Sequence, residues 1–201
     1  EHSFDGTKNR NVRFTYRNTI YQFDPNRIYT LDDNVLKTSI SIVEGSRKVD
    51  QIILKIVKKL AKQIWNELKE YPLIVALHNN KNTPAECTNM WFFWNRMEPE
   101  SYNITSYVKK NDQSSDSNKS CAEIYINPEI NNSEFFIVTQ KPDFDMFVRK
   151  KYSAVLQNAN PVDDGSMSVF ATGFGKRYIN SEAKHGRVPE QEAMLELLLM
   201  E

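Results

Sequence analysis

Between Val49 and Glu70 the apolar residues Ile52, Ile53, Ile56, Val57, Leu60, Ile64, Trp65 and Leu68 recur at helical spacing, with Lys55, Lys58, Lys59 and Lys62 opposite them. Directly after Tyr71-Pro72 the chain runs Leu73-Ile74-Val75-Ala76-Leu77 with no polar residue. No other feature restricts the fold as much. An amphipathic helix must lay its apolar stripe on another layer. A short run apolar on both faces suits a central strand with helices on either side. Together they predict an α/β three-layer sandwich, a mixed and largely parallel central sheet flanked by helices.

The remaining pattern fits one α/β domain over residues 1–201. Asn11 to Phe23 reads as a hairpin: Val12, Phe14 and Tyr16 alternate with polar residues, Arg17-Asn18 turns, and Ile20, Tyr21 and Phe23 return. Residues 83–120 are largely polar, carry the aromatic cluster Trp91-Phe92-Phe93-Trp94, and read as an inserted loop region whose aromatics pack it onto the domain or form a wall for a substrate. Strands are expected near Ala122–Ile126, Phe135–Thr139, Ala154–Gln157, Met167–Ala171 and Lys176–Asn180, a short helix near Phe144–Lys151, and a closing helix over Pro189–Met200 with proline in its first turn.

Composition removes several classes of partner. Twenty-six basic residues balance twenty-six acidic ones, so no broad cationic surface exists to neutralise phosphates, and nucleic acid is not an expected partner. The apolar runs are far shorter than the roughly 20 residues of a membrane span. Cys87 and Cys121 match no metal or redox spacing; a single disulfide and two buried thiols both remain open. The chain opens at Glu1-His2, from which it is expected to be the carboxyl-terminal part of a longer natural domain.

Three segments place chemistry-bearing side chains at strand ends, where open α/β sheets gather ligands. His78-Asn79-Asn80 follows the apolar strand. Asp24-Pro25-Asn26-Arg27 follows the hairpin, and a guanidinium beside an amide suits a carboxylate, whose two oxygens it can bond at once. Tyr178-Ile179-Asn180-Ser181-Glu182 brings a carboxylate to a third strand, where it suits a general base acting on a metal-bound water. Each also has a plainer reading: a histidine closing a strand, a turn with a surface arginine, a surface glutamate. Asp163-Asp164-Gly165-Ser166 reads as an acidic tight turn, and His185 as a loop histidine.

The order of these segments resembles the zinc carboxypeptidase superfamily, including its aspartoacylase and succinylglutamate desuccinylase branch. Phe23-Asp24-Pro25-Asn26-Arg27-Ile28-Tyr29 is similar to that family's Asp-x-Asn-Arg-x-Phe pattern. The resemblance implies a zinc-dependent hydrolase of an amide bond near a free carboxylate, in a small peptide or an N-acyl amino acid. It implies that Asn26 and Arg27 bind the substrate carboxylate, that His78 is the third zinc ligand, that Glu182 is the general base, and that Arg10 polarises the scissile carbonyl. It further suggests an exported, periplasmic or extracellular protein acting on a cell-envelope peptide. The family's upstream His-x-x-Glu motif, which carries its first two zinc ligands, is absent. His2-Ser3-Phe4-Asp5 has a related His-x-x-Asp spacing and offers His2 and Asp5 instead. Two other readings stand beside this one. His78-Asn79-Asn80 and a late glutamate also resemble the zinc-dependent N-acetylmuramoyl-alanine amidases, and a carboxylate-binding module without catalysis would use Arg27 alone.

Overall fold

Asp50 begins the longest helix by accepting hydrogen bonds at Oδ1 from the backbone N–H of Ile52 (3.0 Å) and Ile53 (3.2 Å), two of the donors a helix start leaves unpaired. The computed structural model describes residues 2–3, 8–9, 11–80, 103–112, 119–184 and 186–199. This helix, α2 (Gln51–Leu68), buries Ile53, Leu54, Val57, Ala61 and Trp65. Ile52 and Ile56 stay 43% and 38% exposed, so the buried stripe is narrower than the apolar pattern.

A five-stranded sheet forms the centre. In chain order its members are β6 (Ile74–Asn80), β7 (Cys121–Tyr125), β8 (Phe135–Val138), β9 (Ala154–Gln157) and β10 (Tyr178–Lys184), in the spatial order β6-β10-β8-β9-β7. The β6–β10 and β8–β9 pairs are parallel, and β10–β8 and β9–β7 antiparallel. The sheet is therefore mixed as expected, yet evenly divided rather than largely parallel. Ahead of it lie a two-stranded ladder, β1 (His2–Ser3) with β2 (Lys8–Asn9), and a three-stranded antiparallel sheet of β3 (Val12–Tyr16), β4 (Thr19–Phe23) and β5 (Ile40–Glu44). The β3–β4 hairpin turns at Arg17-Asn18, whose φ of 46° and 59° matches a two-residue turn of the twist that hairpins favour.

Helices cover both faces of the central sheet. Phe136 and Val138 of β8, Ala154 and Leu156 of β9 and Ile179 of β10 pack with Phe144 and Phe147 of α4 (Lys141–Arg149) and Met194 of α6 (Val188–Leu199). On the other face, Phe135, Ile137 and Val155 join Ile104 and Tyr107 at α3 (Thr105–Asp112). There too Ile74 and Tyr178 meet α2 and α5 (Met167–Gly173), with Leu36 of α1 (Asp33–Ser39) in the same core. No helix among the described residues is long and apolar enough to cross a membrane.

Three expectations are corrected. The run from Leu73 forms β6, which among the described residues is an edge strand and not a central one: Ile74 is buried, while Val75 and Leu77 on the opposite face are 40% and 49% exposed. Strands covered on both faces are instead β8 and β9, every residue of which is buried. Met167–Ala171 is helical, because Met167 and Ala171 also satisfy an i, i+4 spacing and Ser166 caps the helix by accepting from Val169 N–H at 3.4 Å. Within 83–120, Thr105–Asp112 forms α3, with the Asn103 carboxamide accepting from Thr105 N–H at 3.0 Å; the aromatic run Trp91 to Trp94 lies outside the described residues.

Candidate functional site

Parallel pairing of β6 with β10 sets His78 directly opposite Glu182, and Ala76 opposite Asn180. Since side chains alternate along a strand, Tyr178, Asn180 and Glu182 share one face with Ile74, Ala76 and His78. Two residues far apart in the chain thereby meet: His78 Nδ1 lies 3.1 Å from Glu182 Oε1. The Asn180 amide Nδ2 donates to Glu182 Oε1 at 2.8 Å and lies 3.0 Å from His78 Nδ1. Glu182 is buried, with its side chain 8% exposed, while the His78 side chain is 25% exposed. The pair is thus closed on its carboxylate side and partly open on its imidazole side. Gln191 of α6 donates from Nε2 to the His78 carbonyl at 3.2 Å, tying the strand to the helix beyond it.

A buried carboxylate needs donors in place of water, and here Asn180, two residues before it on the same strand, supplies one. Tyr178 lies on the same face, and its phenol is pushed far up by burial, then by the charges of Glu182 and Tyr29. Burial likewise pushes the Tyr29 phenol up. Both phenols stay protonated and neutral.

The Asn26-Arg27 pair occupies a different place. Pro25–Arg27 is a single 3₁₀ turn in which Asp24 Oδ1 accepts from Asn26 N–H at 2.9 Å. Arg27 Nη1 is paired with Asp164 Oδ2, and Thr30 Oγ1 donates to Asp163 Oδ2 at 2.5 Å. The Asp163-Ser166 turn is thereby stitched to the loop after the hairpin, and Tyr29 N–H adds a bond to the Gly165 carbonyl at 2.9 Å. Gly165 has φ +75°, and a Cβ there would stand 2.7 Å from the Arg27 carbonyl oxygen, so only glycine fits. Partial burial works to raise the Asp164 carboxyl, and the Arg27 charge with donors from Ser166 outweighs it, holding the group below the usual range. This turn follows β9 at the end of the sheet where β10 begins, whereas Glu182 stands four residues further along, about 13 Å at the usual strand rise. Among the described hydrogen bonds and ion pairs, none links Asn26 or Arg27 to His78 or Glu182.

Arg10, Asp5, Cys87 and His185 lie outside the described residues, and His2 is described only as part of the β1 strand. Cys121 is buried, with Asn111 Nδ2 3.0 Å from its sulfur. A zinc site requires three protein ligands with nitrogen, sulfur or carboxylate donors. Among the described residues no group of three or more His, Cys, Asp or Glu could hold a metal. His78 is the single member of the expected ligand set whose side chain is described, and its Nδ1 faces Glu182, so the described side chains do not by themselves compose a zinc site.

Sequence reasoning singled out His78 and Glu182 and missed Asn180, which donates to Glu182 and stands beside the His78 ring. The signal was available in the period-two spacing of Asn180 and Glu182, which puts them on one face of any strand. Comparison of the chain with models of known families, with curated proteins and with solved structures finds no match.

Proposed function

We propose that the chain hydrolyses an amide bond near a free carboxylate, in a small peptide or an N-acyl amino acid, with His78 and Glu182 as its acid–base pair. One observation carries this reading: a buried carboxylate lies 3.1 Å from Nδ1 of a histidine whose ring is partly exposed. That arrangement orients an imidazole and leaves its other nitrogen for proton transfer. The nitrogen turned away from Glu182, Nε2, takes a proton from water as the oxygen attacks the carbonyl carbon. It returns the proton to the leaving amine as the C–N bond breaks, so that a carboxylic acid and an amine result. A peptide of the cell envelope, met by an exported protein, is the substrate context the family resemblance suggests. Preference for a substrate carboxylate rests on Asn26 and Arg27, and Arg27 must share its guanidinium with Asp164 to provide it.

The test uses the full chain against a panel of N-acyl amino acids and dipeptides, with elemental analysis for zinc. Expected are turnover that falls by about 10²–10⁴ in Glu182→Gln and at least as far in His78→Ala, and a rise in KM in Arg27→Ala confined to substrates with a free carboxylate. About one zinc per chain, lost in His78→Ala, would make Nε2 a metal ligand and replace the proton-transfer role. Absence of turnover across the panel, with binding of a carboxylate ligand that Arg27→Ala abolishes, would overturn the enzyme in favour of a binding module.

A further inference from the structure

His78 Nδ1, Glu182 Oε1 and Asn180 Nδ2 form a nearly equilateral triangle with sides of 3.1, 2.8 and 3.0 Å. The angle at each corner is about 60°, half of the roughly 120° between the two hydrogens of an amide nitrogen, so Asn180 cannot direct one hydrogen well at each of the other two atoms. Its shorter side runs to Glu182, which is the contact a charge-assisted bond favours. If Nδ1 carried a lone pair, the 3.1 Å edge would bring two acceptors together, one of them on a buried carboxylate. A hydrogen on that edge turns it into a charge-assisted bond. Both nitrogens then direct their hydrogens at Oε1, and the 3.0 Å between them is a smaller conflict of dipoles than a lone pair facing a carboxylate.

We infer that neutral His78 is fixed as its Nδ1–H tautomer, donating to Glu182 Oε1, and that Asn180 is a positioning residue whose N–H is the second donor on the same oxygen. The Asn180 side chain supports this placement from its other end. Asn180 is 3% exposed, and its buried Oδ1 has no hydrogen-bond partner among the described residues, so the amide is seated for what its nitrogen does. With one donor from Asn180 already on Oε1, the bond from Nδ1–H shares that oxygen, and the lone pair of His78 is confined to Nε2. This deepens the hydrolase reading, resting on it only for the use to which Nε2 is put.

The experiment is a long-range ¹H–¹⁵N spectrum of the uniformly ¹⁵N-labelled full chain, recorded as pH is raised until the ring shifts no longer change, so that the neutral ring is read. The His78 ring signals are identified by their loss in His78→Gln. Expected are a protonated, pyrrole-type shift for Nδ1 and a lone-pair, pyridine-type shift for Nε2. In Asn180→Leu, or in the milder Asn180→Ser should the first fail to fold, the tautomer is expected to hold while the Nδ1 proton, left without the second donor on Oε1, moves downfield as its bond to the carboxylate strengthens. The opposite tautomer in the parent chain would overturn the proposal, and ring shifts unmoved by both substitutions would remove Asn180 from the positioning role. The spectrum needs no turnover. A chain with the expected tautomer and no hydrolysis would thus refute the hydrolase reading and leave this one standing.

Discussion

Glu182 and Asp164 show how one side-chain type takes two roles through its surroundings. Glu182 is buried in the sheet and receives its donors from His78 and Asn180, whereas Asp164 sits half-exposed in a turn and pairs with Arg27. The second arrangement has a consequence for stability. A carboxyl held below its ordinary range binds its proton more weakly in the folded chain than in the unfolded one, so its contribution is full above the unfolded value near 4 and is lost as pH falls toward the folded value. Asp33, aided first by Lys58, shifts the same way, as do Asp50 and Glu190, each held down first by a backbone hydrogen bond. Glu134 opposes them, being pushed up by burial and by the charge of Glu190. Among the described carboxyl groups, four depressed against one raised give a net loss toward acid. The unfolding temperature is expected to be nearly flat above about pH 5 and to drop below about pH 4, and in Asp164→Asn the drop should be smaller. An equal drop in parent and variant, followed by circular dichroism, would take Asp164 out of the account. His78 and Glu182 both stand two residues inside their strands and not at the strand ends expected, because the β6–β10 pairing runs on to Asn80 and Lys184. At this scale they were legible one at a time, as a histidine after an apolar run and a late glutamate. Their contact was not, since it depends on a register between residues separated by more than a hundred positions.

Local signals decided the elements where a cap and a period agreed. The α2 helix is such a case: Asp50 bonds two backbone N–H groups at its start, and the buried residues Ile53, Val57, Ala61 and Trp65 follow at four-residue steps. Asp50→Ala is expected to cost about 1 kcal/mol, a loss of about 2–4 °C in unfolding temperature for a chain of this size. Calorimetry finding no change would mean that the helix start is held by packing alone. Where period and cap disagreed, tertiary contact settled the outcome. Met167, Val169 and Ala171 alternate as a strand would, but Ser166 caps a helix there and Phe170 meets Trp65 of α2 edge-on at 5.0 Å. The short helix α1 and the strand β5 after it had no clear period: among β5 residues only Ile40 is buried, so its pattern carries no alternation to read.

Over the whole molecule, the order of strands governs which apolar residues matter most. Phe136 in β8 is fully buried and stacks on Phe147 of α4 with ring centroids 3.7 Å apart, while Leu77 on the edge strand β6 is half-exposed. Phe136→Ala is expected to cost about 3–5 kcal/mol through the cavity it leaves. Leu77→Thr should stay within about 0.5 kcal/mol. A large loss at Leu77, measured by denaturant unfolding, would restore β6 to the middle of the sheet. The sequence by itself determined the class of fold, because an amphipathic helix beside short apolar strands can bury its surface only in packed α and β layers, and it determined the β3–β4 hairpin, whose pairing is local. It also marked His78 and Glu182. Only the tertiary structure decided which strand lies at the centre, since apolar residues on both faces of a strand are equally compatible with an edge partly open to solvent. The same holds for the Asn26-Arg27 loop, whose arginine is paired with Asp164 across a distance in sequence that no spacing encodes. The parallel register of β6 and β10 joined histidine, glutamate and asparagine into one cluster, because side-chain proximity across strands follows from pairing and not from position along the chain.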